Sequence, residues 1–315
     1  MIRTAFLFSI LFLLISTGHA ELNYRFVESW LKLPAGQEYL GNSHGEIDVD
    51  SKGNVYISVE GESAGLQVFN PNGSYSHAVP NLPGSLHGFV IKDDFIYASV
   101  LRTGSVIKAT LEGEIVLEIP TSSFPEEKVG PKGLKLTSVD VAPNGDIYVV
   151  DGYGIDSIFV FNAKGEFKTV FGGQEAPYNL DNCHKIFIDP RYEEPRILCC
   201  DRKNHRLLHL SLEGKVLGVF AEDLRRPSSA SFHGDYVCIA EIAGRVSILD
   251  KEGSIVGTLG TNEIEGEINT NRVAPSQWRT GIVTAPHGIA FDAEGNILMS
   301  EWNVSGRVLR WEVRL

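Results

Sequence analysis

The chain has 315 residues, a formal net charge of −12 and a pI near 5.2. That acidity repels phosphate backbones, and no basic stripe with interleaved aromatics runs through the chain, so nucleic acid is excluded as an expected partner. The four cysteines (Cys183, Cys199, Cys200, Cys238) show no CxxC spacing, which leaves a structural zinc site without support.

Residues 1–20 begin with Arg3, run through the apolar stretch Ala5 to Ile15 and end in Gly18-His19-Ala20. They read as a cleaved signal peptide, because the run is shorter than the roughly 18 residues a spanning helix needs. The mature chain, 21–315, is expected as one secreted or periplasmic domain, free of the membrane and monomeric. Export permits a disulfide, but the sequence assigns no pair.

A unit then recurs: a short apolar strand, a polar turn, a second strand often ending in an acid, a third strand, and a turn closing in Gly. The clearest copy runs from Thr137 to Phe167; the others begin near Gly45, His87, His184, Ser228 and His287. The turn before each fourth strand ends at Gly73, Gly113, Gly165, Gly214 and Gly253, so the gaps are 40, 52, 49 and 39 residues. That is the period of four-stranded propeller blades. No sixth such turn follows, so the last unit lacks a fourth strand of its own, and Tyr24 to Leu33 is expected to supply it and close the ring. The predicted fold is all-β, a six-bladed β-propeller. Period-two alternation and few amphipathic helices argue against a parallel α/β fold. Thr261 to Val283 is longer than an ordinary connection and reads as a loop lying over one face, as a lid would.

Aligned on the first turn, His87, His184 and His287 share one slot, the start of the innermost strand, in units two, four and six; Gly45, Thr137 and Ser228 hold it in the others. Alternate blades of a six-fold ring are related by a three-fold rotation, so the three imidazoles are expected to converge on the axis. Three imidazoles with an open fourth position make a catalytic metal site. Zinc is the first choice, although iron, copper or nickel also accept nitrogen ligands. A single histidine at a strand start more often caps the chain or faces water; the strict alternation is what favours the metal. His44, one residue ahead of the slot, is expected near the pore mouth and not as a ligand. His205, His209 and His233 read as surface or packing residues.

After the second strand, unit three offers Asp151 and Tyr153, and unit four Asp201 and Arg202. A tyrosine beside a metal can act as general base and an arginine can hold a carboxylate; either could equally be a blade-edge contact. Asp151, Asp201, Glu241 and Glu301 recur at one position and are expected to be inter-blade hydrogen-bonding groups. Gly41-Asn42-Ser43-His44-Gly45 matches GxSxG but precedes a strand where a nucleophile elbow needs a helix. Gly152-Tyr153-Gly154 lacks the rest of a dinucleotide fingerprint. Cys199-Cys200 lies in a strand, where neighbours face opposite ways, which disfavours a vicinal redox pair.

On these residues the chain resembles the NHL-repeat propellers, and among them the peptidyl-α-hydroxyglycine α-amidating lyases, over nearly all of the mature length. Leu86-His87-Gly88, Cys183-His184-Lys185 and Pro286-His287-Gly288 look like the family's histidine motifs. The resemblance implies zinc on His87, His184 and His287, with cleavage of a peptidyl-α-hydroxyglycine into a peptide amide and glyoxylate at the pore. Asp151-Gly152-Tyr153 matches its DGY motif and implies Tyr153 as the base. Cys200-Asp201-Arg202 matches its ADR motif and implies Arg202 as the substrate-binding arginine. Three positions depart: Glu60 stands at the family's arginine in blade one, Gly288 at an acid that helps hold a structural calcium, and Gly154 at a cysteine. Neither calcium nor the family disulfide is therefore carried over. Two readings stand beside a zinc lyase: a non-catalytic propeller that binds a protein or glycan, and a calcium-dependent lactonase-like hydrolase, which would need oxygen ligands at the axis.

Overall fold

A computed structural model describes residues 23–60 and 65–314. The expected signal peptide lies outside the described residues. Among the latter, no helix is long and apolar enough to cross a membrane.

Among the described residues, twenty-four strands form six antiparallel sheets of four. Blade one is β2 (Ile47–Val49) to β5 (Tyr75–Ala78), blade two β6 (Leu86–Lys92) to β9 (Ile115–Ile119), and blade three β10 (Ser138–Val141) to β13 (Phe167–Gly172). Blade four is β14 (Cys183–Asp189) to β17 (Val216–Ala221), and blade five β18 (Pro227–His233) to β21 (Ile255–Leu259). Blade six joins β22 (Pro286–Phe291), β23 (Ile297–Glu301) and β24 (Arg307–Val313) to β1 (Tyr24–Val27). The innermost strands pack against one another round the whole circuit, including β2 against both β6 and β22, so the six-bladed propeller is closed.

The closing ladder pairs Tyr24 with Val313 through Val27 with Arg310. Phe26 meets Trp311 edge-on at 5.9 Å. The ladder is shorter than the segment expected from sequence. Ser29 turns the chain with φ 51°, and Lys32 then bridges Ser74 of blade one, so residues 24–33 bind both sides of the joint.

The blades cohere through six apolar clusters, each between neighbours. One joins Val150, Ile158 and Val160 of blade three to Ile186, Ile197 and Cys199 of blade four. Another joins Leu198 and Cys200 to Ile239 and Val237 of blade five. Cys199 and Cys200 thus face opposite gaps, as alternation requires, and all four cysteines are buried free thiols. A fully buried Ile or Leu in such a gap contributes about 1.5–3 kcal/mol. The five turn glycines all have φ between 79° and 87°, the left-handed region. At Gly73 a Cβ would also sit 1.9 Å from the carbonyl oxygen of Trp30, so both conformation and contact require glycine there.

The recurring acids end the second strands or, in the case of Asp151, directly follow one, and their partners are the connections leading into the same blades. Asp151 accepts from the Lys135 amide at 2.5 Å, Asp201 from Asp181 at 2.9 Å and Glu301 from Thr284 at 2.5 Å; Glu241 accepts from Arg225. Each acid fastens the segment that crosses from the preceding blade, which refines the inter-blade role expected of it.

Candidate metal centre and pore mouth

His87, His184 and His287 stand at the starts of β6, β14 and β22, fully buried. Their ring centroids are 5.0, 5.1 and 4.8 Å apart, with planes 81–86° to one another, close to the three-fold arrangement that alternate blades impose. Each Nδ1 is hydrogen-bonded to a backbone carbonyl: His87 to Thr137 at 2.8 Å, His184 to Ser228 at 2.7 Å and His287 to Gly45 at 3.0 Å. Those acceptors are the residues that hold the same slot in blades three, five and one. With Nδ1–H donating outwards, the Nε2 lone pairs are left for the axis.

The Nε2 of His287 is buried with no hydrogen-bond partner. The Nε2 atoms of His87 and His184 share the Tyr153 hydroxyl, at 3.2 and 3.1 Å. Burial, first, and the neighbouring cations hold all three imidazoles neutral, well below the usual histidine range. Neutral, oriented imidazoles with lone pairs on the axis and one orphaned nitrogen fit a metal ion that prefers nitrogen donors.

His44 belongs to the same group, which sequence reasoning missed. Its ring lies 5.0 Å from those of both His87 and His287, and the candidate ligand atoms of these three lie within 4.8 Å of one another. It sits at the mouth, as expected, half-buried against Trp302 at 5.6 Å. No carbonyl fixes its tautomer; its Nδ1 faces Glu60 at 3.9 Å. Burial, then Lys185 and Arg202, lower it to about 4.

Above the histidines opens a cavity of about 270 Å³ lined by His44, Tyr153, Arg202, Arg226 and Trp302. Ile242 and Asn269 complete it, and Asn269 comes from the long 261–283 connection. That loop lies over this face, pinned where Asn269 donates to Ile242 and Asn303 to Val273. Tyr153 and Arg202 therefore meet at one place: the guanidinium carbon is 5.5 Å from the centre of the phenol ring, and Arg202 Nε donates to Asn182 at 2.6 Å. Burial pushes the Tyr153 phenol up, and the Arg202 charge opposes it.

Directly beneath, the next residue of each slot forms a second layer. Lys185, fully buried, donates to Glu46 at 2.7 Å across the axis and to the His287 carbonyl at 3.3 Å. Glu46 also accepts from Ser229 and from the amides of Ile47 and Ile289. A Cβ on Gly288 would stand 2.5 Å from the Glu46 carboxylate, so glycine there is what admits the pair. His205 and His209 bond to Leu224 and Asp189 away from the axis, and His233 packs on Phe291, as expected of packing residues.

Comparison with known proteins agrees with this architecture. No family model matches the chain. A probable peptidyl-alpha-hydroxyglycine alpha-amidating lyase of Caenorhabditis elegans is 29% identical over 189 residues, 58% of this chain and 49% of that protein, so the match spans about half the length of the relative. Among solved structures, a streptogramin B lyase aligns over 94% of this chain and 100% of its own with a TM-score of 0.60 at 15% identity. A catalytically inactive virginiamycin B lyase from Staphylococcus aureus with quinupristin aligns over 93% and 88%, with a TM-score of 0.57 at 16% identity. The chain is thus a six-bladed β-propeller similar to propeller lyases.

Proposed function

We propose that this chain is an exported, zinc-dependent lyase that cleaves a carbinolamide of the α-hydroxyglycine type at the mouth of its pore. The observation that carries the reading is the fixed set of axial imidazoles, each tied at Nδ1 to a neighbouring blade, with the Tyr153 hydroxyl 3.1–3.2 Å from two of their Nε2 atoms. Similarity to a probable amidating lyase supplies the substrate class.

His87, His184 and His287 would hold the metal, because burial and a fixed tautomer prepare them as donors and His44 has neither to the same degree. A zinc ion bound there supplies Lewis acidity, which makes a substrate hydroxyl easier to deprotonate. Tyr153, as its phenolate, takes that proton. The oxygen's electron pair forms the new carbonyl, the C–N bond breaks with its pair on nitrogen, and the Tyr153 phenol returns the proton to that nitrogen, giving an amide and an α-oxo acid. Arg202 holds the carboxylate of the fragment that becomes the α-oxo acid, and its charge favours the phenolate during turnover. Trp302 and the 261–283 loop narrow the mouth and exclude water from the reacting atoms.

The test is elemental analysis of the mature, tag-free chain beside His184→Ala, followed by an assay for glyoxylate release from hydroxyglycine peptides. About one zinc per chain, lost in the variant, together with glyoxylate release, supports the reading. No metal after reconstitution with zinc overturns it and leaves a propeller that binds a ligand without catalysis.

A further inference from the structure

Guanidinium groups that are buried or half-buried in this chain are generally answered by a carboxylate: Arg191 by Asp189, Arg206 by Asp201, Arg245 by Glu241, Arg307 by Glu301 and Arg310 by Asp292. The two arginines at the pore mouth differ. Arg202 gives its Nε to the neutral Asn182 side chain and otherwise meets the Tyr153 phenol. Arg226 has a buried Nε with no partner, and among the described residues neither arginine has a carboxylate within ion-pair distance. In a protein with an excess of acidic residues, two unanswered arginines lining one cavity form a local anion site.

The backbone supports the same conclusion. Arg226 precedes Pro227, a position that favours extended geometry, yet it has φ 61° in the left-handed region. It is held there by its amide on Leu224 at 3.0 Å and by its carbonyl, which accepts from Ile242 at 3.1 Å. A conformation unfavourable for arginine is thus fixed at a place where its side chain reaches the cavity.

We propose that Arg226 and Arg202 are the two arms of one carboxylate-binding fork, and that Arg226 selects ligands whose fragment at the axis ends in a carboxylate. The inference rests on the reading that this cavity is the substrate site, and it adds a residue that the motif resemblance does not supply. A two-armed site explains how the mouth holds a carboxylate although Glu60 stands close by, 3.9 Å from His44. Arg202 positions the carboxylate beside Tyr153, and Arg226 excludes the neutral amide equivalent.

The experiment is calorimetric binding of oxamate, which carries one carboxylate beside an amide, and of the neutral oxamide, to the zinc-reconstituted protein. Arg226→Asn removes the guanidinium with a residue that tolerates the left-handed region, and Arg226→Lys restores a charge. Loss of one charge-assisted contact should raise the oxamate Kd about ten- to hundred-fold in Arg226→Asn, with partial recovery in Arg226→Lys, unchanged oxamide binding and a melting temperature close to wild type. An oxamate Kd unaltered in Arg226→Asn, equal weakening of both ligands, or a wild type that does not prefer oxamate overturns the fork. Oxamate selectivity that depends on Arg226, in a protein that releases no glyoxylate, keeps the fork and removes the lyase. Glyoxylate release with unchanged KM in Arg226→Asn does the reverse.

Discussion

Two layers of the propeller axis lie one residue apart in every blade and have opposite chemical character. In the upper layer, His87, His184 and His287 commit one nitrogen each to the scaffold and turn the other to the axis, where the Nε2 of His287 has no partner at all. In the lower layer, Glu46 and Lys185 answer each other: the carboxylate accepts from that ammonium, a hydroxyl and two amides. A layer whose charges are paired stabilises; a layer with lone pairs left over can bind. Both are buried, so burial alone does not tell function from structure. The valences left unspent do.

The largest expected effect falls on the upper layer. Tyr153→Phe should keep zinc and fold but lower the rate of glyoxylate release by about 10²–10⁴, the usual contribution of a positioned base; a rate within a few-fold of wild type, measured at saturating substrate, would remove Tyr153 from the chemistry. Next comes the lower layer. Lys185→Met leaves Glu46 buried without its cation, which should cost about 3–5 kcal/mol and lower the melting temperature by on the order of ten degrees. Adding Glu46→Gln should restore more than half of that loss, and a double variant no better than the single would show that the pair is not coupled.

A third variant sharpens the boundary between the layers and the mouth. Zinc content should fall to background in His184→Ala and stay near one per chain in His44→Ala, because only His184 has its tautomer fixed by a carbonyl; the opposite pattern would move the site to His44, His87 and His287. The smallest effect is a pH dependence at Asp48 of β2. Burial, against the amides of Ile91 and Val49 that it accepts, pushes Asp48 up to about 7. The folded state thus binds the proton more tightly than the unfolded chain, whose aspartate titrates at about 4. Its stabilising contribution is full below about pH 4 and is lost as the pH rises towards 7. The melting temperature of Asp48→Asn should therefore fall less between pH 5 and pH 8 than that of wild type, and parallel profiles would exclude Asp48 as the titrating group.

The fold was legible because the blades repeat their strands and five of them a turn glycine, and the missing sixth turn pointed to the closure that β1 makes with β24. The axial histidines were legible because one slot alternates between imidazole and small residues. What the small residues do was not: Gly45, Thr137 and Ser228 act through their carbonyls, which every residue has, so no side-chain pattern marks them. His44 was legible at the mouth, but its approach to His87 and His287 was not, because β2 begins only at Ile47 and no strand register fixes the residues before it. Glu46 and Lys185 lie 139 residues apart and meet only across the ring. Arg226 sits in a connection before a proline, where neither strand periodicity nor a motif points to the pore.

The joint between β1 and β24 sets blade six apart from the other five. Every other blade is a run of hairpins whose partners are near neighbours in sequence, free to form as soon as they are made. The joint brings together residues such as Arg25 and Glu312, 287 positions apart, and contacts of that separation are slow to find. That joint completes the ring in which alternate blades take their three-fold spacing and the imidazoles of blades two, four and six face one point. The common focus of the three imidazoles is thus a property of the finished circle, because each ring is aimed by a carbonyl of the next blade, and the last of these links, from His287 to Gly45, crosses between the two ends of the chain.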